Sequence, residues 1–196
     1  MKTKFVTYYY DIDDTNYYEK KSENLKNSLN SLGAELKTYN PEFENNYNIN
    51  CLRKPEVIIQ AIDELNEDII WIDADCYIQN LPIEMDNQEE DIGIVIRNHD
   101  METPHVALIY FKNNKKTKSF LDDWNKKCVS KIKEVKEGKY DGGDHDPFID
   151  TFKDRTDVSY KLYSPMVAST NIPTSSVLIG ISPGGLGVEQ RKVIHD

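Results

Sequence analysis

Ile69-Ile70-Trp71-Ile72-Asp73-Ala74-Asp75-Cys76-Tyr77-Ile78 is the stretch that decides the fold. An apolar run stops at two carboxylates one residue apart, then turns apolar again. This pattern predicts a buried strand that delivers Asp73 and Asp75 to the carboxyl edge of a sheet. Open α/β sheets bind their ligands at that edge. Acidic oxygens at i and i+2 suit a divalent cation that keeps some waters and takes phosphate oxygens as further ligands. A lone acidic pair is a weak pattern, because carboxylates often end strands. Its setting therefore matters.

Upstream, Pro55 sits at a first-turn position. Val57, Ile58, Ala61, Ile62 and Leu65 then form one apolar helical face, broken at Asn66-Glu67-Asp68. Further back, Lys4 to Tyr10 reads as a first strand. A helix is expected over Tyr18–Leu32, stopped by Gly33, followed by a short strand over Ala34–Tyr39. Glu42 to Asn50 reads as a polar loop. Downstream, Asp91–Arg97 and Val106–Phe111 are strand candidates. Asn114–Val135 is a long helix with Phe120, Leu121, Trp124, Cys128 and Ile132 inward. Asp144–Phe152 is a short helix, and Val158–Tyr163 and Ser176–Ile181 are late strands. Helices alternate with strands early and mix later, which predicts α/β architecture: a mixed β-sheet flanked by helices.

Composition is consistent with one domain over residues 1–196. Hydrophobic residues make up 38% and charged residues 30%, as in a globular chain rather than a disordered one. No apolar run approaches the roughly 18 residues of a membrane span. The N-terminus lacks the apolar core and cleavage site of a signal peptide, so the expected location is cytoplasmic. Cys51, Cys76 and Cys128 have no metal-ligand spacing and read as small core residues. A net charge of −10 argues against bulk attraction to nucleic acid or membrane. The lysine-rich stretch Lys112–Lys139 is the local exception; it reads as a solvated helix face or as a weak push toward an anionic partner.

Several segments together resemble small nucleotide-diphospho-sugar transferases of the GT-A fold. Lys54-Pro55-Glu56 followed by hydrophobic residues is similar to that family's helix start, and Trp71-Ile72-Asp73-Ala74-Asp75 to its strand end. Phe5-Val6-Thr7-Tyr8-Tyr9 resembles its first strand, and Leu108-Ile109-Tyr110-Phe111-Lys112-Asn113-Asn114 its strand before a long helix. Gly142-Gly143-Asp144-His145 resembles its Gly-Gly-Asp-Gln helix start, and Val193-Ile194-His195 its late histidine segment. The resemblance implies a metal-dependent glycosyltransferase acting on a nucleoside-diphosphate sugar, with a UDP-sugar favoured, and it leans toward retention of configuration.

It also implies roles. Asp73, Asp75 and His195 would hold Mn²⁺ or Mg²⁺. Thr7, Tyr8, Tyr9, Lys54 and Asp73 would meet the nucleotide. Asp144 would lie beside the donor sugar, as a hydrogen-bonding or catalytic group. His145 and His105 would face donor sugar or acceptor. Each has a plainer alternative: strand residues for Thr7, Tyr8 and Tyr9, a surface lysine for Lys54, a helix cap for Asp144, a frayed tail for His195. Three departures from the family stand out. Pro104-His105-Val106-Ala107 replaces a small Ser/Gly stretch, His145 replaces Gln, and the sequence ends one residue after His195 where a basic tail is usual.

A second acidic pair, Asp11-Ile12-Asp13-Asp14-Thr15, matches the opening of haloacid-dehalogenase-type phosphatases, with Asp11 as nucleophile and Asp13 as acid/base. The late motif of that family asks for an aspartate where this chain has Phe148. A non-catalytic nucleotide-sugar-binding module is a further alternative. The sequence leaves the acceptor open among polysaccharide, protein, small metabolite and modified nucleobase.

Overall fold

The computed structural model describes residues 1–11, 15–97, 103–169 and 179–180. Strands β1 (Lys4–Tyr8), β2 (Leu36–Tyr39), β3 (Ile69–Ile72), β5 (Ile92–Ile96), β6 (Pro104–Phe111) and β7 (Tyr160–Tyr163) form a six-stranded sheet in the order β2-β1-β3-β6-β5-β7. β6 pairs antiparallel with both of its neighbours, while the other pairings are parallel. A small second sheet joins β4 (Tyr77–Ile78), β8 (Ala168–Ser169) and β9 (Ile179–Gly180), with β9 in the middle. The described helices are α1 (Tyr17–Ser31), α2 (Tyr47–Leu52), α3 (Lys54–Leu65), α4 (Lys115–Lys136) and α5 (His145–Asp154).

Strand alternation sorts side chains into two cores on opposite faces. Val6, Ile69, Trp71, Ile94, Ile109 and Phe111 pack with Leu52, Ile58, Ile62, Phe120, Trp124 and Phe148, so α2, α3, α4 and α5 cover one face. Phe5, Ile70, Ile72, Leu108 and Tyr110 pack with Leu25 and Leu29 of α1 and with Ile78, Ala168 and Ile179 of the small sheet on the other. The mixed sheet flanked by helices matches the fold class expected from the sequence.

Most elements fall within a few residues of their expected bounds. The α1 stop is physical: Gly33 takes φ +75°, the left-handed conformation that glycine adopts without penalty. One expectation is corrected. The stretch Glu42–Asn50 is not all loop, because α2 begins at Tyr47. Its asparagines are used locally: Asn46 caps α2 by accepting from the Ile49 amide, and the Asn50 side chain stitches both backbone groups of Glu44.

Candidate active site at the carboxyl edge of the sheet

β1 and β3 run parallel, so their carboxyl ends share an edge. α3 leads back into β3 and therefore begins at that same edge, with Lys54 as its first residue. β6 runs the other way and begins there. Between Ile94 and Val95 the β5–β6 register jumps from Ile109 to His105, so Val106, Ala107 and Leu108 leave the β5 ladder. The Ala107 carbonyl then accepts from the Asp73 amide at 2.9 Å, and the Val106 carbonyl accepts from Lys54. The start of α5 reaches the edge through Gly142-Gly143. A side chain at Gly143 would press on Cys51 of α2 at 3.2 Å, and one at Gly142 would collide with the Tyr140 ring. Trp124 fixes the end of this approach by donating its indole N–H to the Asp144 carbonyl at 3.2 Å.

These elements bring Asp73, Lys54 and Asp144 together. The Lys54 ammonium lies 2.9 Å from Asp73 Oδ1, 3.0 Å from Asp144 Oδ2 and 3.2 Å from the Val106 carbonyl oxygen. Trp71 donates its indole N–H to the same Asp73 Oδ1 at 2.8 Å, and its ring lies beneath the ammonium. Lys54 is 4% exposed and Asp144 6%, whereas the Asp73 side chain retains 29%. Burial alone would push the Lys54 pKa down; the Asp144 and Asp73 carboxylates overcome it and hold Lys54 charged, above its ordinary value. Burial pushes Asp144 up, with Lys54 opposing. Asp144 occupies the N-cap position of α5 but its side chain makes no capping bond; its charge is spent on Lys54.

Asp75 sits in the turn that Asp73 opens, where the Cys76 amide donates to the Asp73 carbonyl at 3.0 Å. Burial, and then the neighbouring Asp73 charge, lift the Asp75 carboxyl to about 7. The two acids are thus close enough to repel. Among the described residues no three metal-ligating side chains cluster. His195 lies outside the described residues, as does Asp13.

The remaining expected residues divide. Thr7 is fully buried, its hydroxyl donating to the Tyr8 carbonyl. Tyr8 is buried against Trp71 and Phe43 and donates to the Asn50 carbonyl at 2.8 Å. Tyr9 is half-buried, with Glu19 and Asp11 among the charges near its hydroxyl. His105 and His145 adjoin the edge. His145 Nε2 lies 3.1 Å from the Pro104 carbonyl and touches the Arg97 guanidinium. Burial and then Arg97 lower the His145 pKa. His105 is lowered to about 4, chiefly by burial, and its Nδ1 is buried with no hydrogen-bond partner. Trp71 and Arg97 are site residues that the sequence reading passed over. Trp71 was findable, since it lies two residues before Asp73 and so on the same strand face.

Two other expectations meet the structure differently. Asp11 accepts from the Tyr18 amide on one oxygen and the Glu19 amide on the other, so it ties down the start of α1. That leaves it poorly placed as an attacking nucleophile. The lysines near α4 largely face the protein's own acids: Lys118 pairs with Asp63, Lys127 with Asp154, Lys131 with Glu134 and Lys136 with Glu44.

No family profile and no curated protein sequence matches the chain. Solved structures do. A glycosyltransferase involved in the glycosylation of the major capsid of PBCV-1 superposes with a TM-score of 0.72 at 12% identity, over 99% of each chain. The glycosyltransferase GlyE of Streptococcus pneumoniae TIGR4 superposes at 0.56 and 12% identity, over 98% of this chain and 60% of that one. The fold is one that glycosyltransferases share. No described helix is long and apolar enough to cross a membrane.

Proposed function

We propose that this chain is a metal-dependent glycosyltransferase that draws its sugar from a nucleoside diphosphate. The observation that carries the reading is the convergence of Asp73, Asp75, Lys54 and Asp144 on one carboxyl edge of the sheet. The fold shared with two glycosyltransferases supports it.

The residues fit a hard divalent cation. Asp73 and Asp75 offer carboxylate oxygens, and their mutual repulsion is of the kind a cation relieves. In this reading they hold Mn²⁺ or Mg²⁺, His195 adds an imidazole, and the ion supplies Lewis-acid stabilisation of a departing diphosphate. The protein's own part is orientation and exclusion of water. Asp144 stands beside the donor sugar as an acceptor for its hydroxyls. His145 and His105, at the mouth of β6, face sugar or acceptor. Tyr9 and the aromatic cluster around Tyr8 border the nucleotide, with a UDP-sugar as the favoured donor. A glycan on a protein is one acceptor class to test, after the first neighbour.

The test is donor hydrolysis in Mn²⁺ across a panel of UDP- and GDP-sugars. Wild type is expected to release nucleoside diphosphate from one of them. Asp75→Ala is expected to lose at least 100-fold in rate while keeping its melting temperature. Undiminished release by that variant refutes the metal assignment. No release from any donor refutes the transferase reading.

A further inference from the structure

We infer that Lys54 is a positioning residue, which locks Asp73 and Asp144 from inside the fold and does not touch the donor. The inference rests on the transferase reading above and departs from it on one residue, since the family resemblance puts Lys54 against the nucleotide.

A lysine ammonium carries three N–H bonds and no acceptor. Three oxygens surround this one: Asp73 Oδ1 at 2.9 Å, Asp144 Oδ2 at 3.0 Å and the Val106 carbonyl at 3.2 Å. Its face toward the core is closed by the Trp71 ring, 5.6 Å from the nitrogen to the ring centre. The Val106 carbonyl accepts a hydrogen bond and the two carboxylates are ion-paired with the ammonium, and with 4% of the residue exposed no open approach is left for a phosphate or a hydroxyl.

The same contacts define what Lys54 does. Asp73 Oδ1 is held by two inward contacts, the Lys54 ion pair and the Trp71 indole N–H, so the carboxylate cannot rotate without losing both. Its exposed surface is then turned to the outside of the edge. Asp144 is held by the same ammonium, and its backbone carbonyl by Trp124. One buried cation thus fixes the spacing between an acid on the β3 edge and an acid at the start of α5. Among the described residues no strand ladder joins these two elements. Positioning of this kind matters because reacting groups displaced by about 1 Å lose on the order of 100-fold in rate.

The experiment is a double-mutant cycle on Lys54→Met and Asp144→Asn, read by thermal melting and by donor-hydrolysis kinetics in Mn²⁺. Lys54→Met strands two carboxylates, so its melting temperature is expected to fall. Adding Asp144→Asn removes one stranded charge and is expected to recover most of that fall. In kinetics, Lys54→Met is expected to lose 100-fold or more in kcat with donor KM changed less than about threefold. The double variant is expected to be no slower than the worse single variant.

A tenfold rise in donor KM with kcat intact means direct donor contact and overturns the inference. Fully additive losses, in melting or in kcat, overturn it as well, because Lys54 and Asp144 then act independently. Melting recovery in a protein whose wild type turns over no donor refutes the transferase reading and leaves Lys54 a structural counter-ion only, which separates the two failures.

Discussion

At the residue scale, the site is built from side chains whose charge is settled by burial. Asp73 and Asp75 were legible because two carboxylates interrupt an apolar run. Lys54 and Asp144 were legible as residues of interest but not as partners. A signal for the burial of Lys54 was present: it lies four residues before Ile58 and so extends the stripe of Ile58, Ala61, Ile62 and Leu65. What no one-dimensional pattern reveals is that a lysine 90 positions before Asp144 meets it across the fold. His105 gives a prediction at this scale. Its ring is packed neutral, with Asp73 pulling its pKa up and Arg97, His145 and Lys54 pushing it down, and burial dominates to leave it at about 4. The unfolded chain binds that proton near 6.5. The associated stability is therefore whole above pH 6.5 and drains as the pH falls toward 4. At pH 4.5 the loss from this group is roughly 2 kcal/mol. Urea unfolding of wild type and His105→Asn at pH 7.5 and 4.5 checks it. The variant is expected to lose less stability over that interval, and an equal loss in both proteins counts against a buried neutral ring.

At the element scale, boundaries followed chemistry the sequence displays. Pro55 opens α3, Gly33 ends α1, and Asn114 opens α4 by accepting from the Thr117 amide at 2.9 Å. The missed helix, α2, shows the limit. Its six residues are too few for an apolar stripe, and asparagine, common in both turns and caps, does not say which it is. In the second sheet β9 falls inside the strand expected over Ser176–Ile181, of which only residues 179–180 are described, whereas β4 and β8 escaped because two residues carry no alternation. Asn114 is the stronger of the asparagine caps to test. Its oxygen caps α4, and its amide donates to Asp91 Oδ1 at 2.7 Å. Asn114→Ala loses both bonds and is expected to destabilise the fold by about 1–2 kcal/mol, toward the upper end of cap losses. Asn114→Asp keeps the cap but sets two carboxylates face to face, so it is expected to recover little. Chemical denaturation midpoints decide, and full recovery in Asn114→Asp would assign the whole effect to the cap.

At the scale of the whole molecule, the sheet sorts its carboxylates by edge. At the amino edge three aspartates are consumed by neutral donors. Asp86 accepts from the Lys2 and Thr3 amides and the Thr3 hydroxyl, ahead of β1. Asp68 accepts from the Tyr110 hydroxyl and the Asn113 amide, ahead of β3. Asp91 accepts from the Ser159 amide and hydroxyl and from Asn114, ahead of β5. At the carboxyl edge Asp11 is likewise held by amides, but Asp73 and Asp144 face a lysine and Asp75 feels the Asp73 charge. One edge is thus satisfied and rigid, while the other holds negative charge suited to a cation. The division predicts that stability and chemistry separate under mutation. Burial pushes the Asp91 carboxyl up, but the Ser159 amide and hydroxyl and then Asn114 hold it below its ordinary value. Its stabilisation is accordingly present above about pH 4 and is lost as the pH falls through its depressed native value. Asp91→Ala orphans the Ser159 amide, which bridges β5 to β7, and is expected to cost about 2–3 kcal/mol, or roughly 4–12 °C in melting temperature for a chain of this size. Donor hydrolysis per folded molecule is expected to stay within about twofold of wild type, because Asp91 lies a full strand length from the reacting edge. A tenfold loss of turnover in Asp91→Ala at a temperature where the variant is fully folded would mean that the two edges are mechanically coupled through β5 and the register jump opposite Val106, and the separation argued from the fold would not hold.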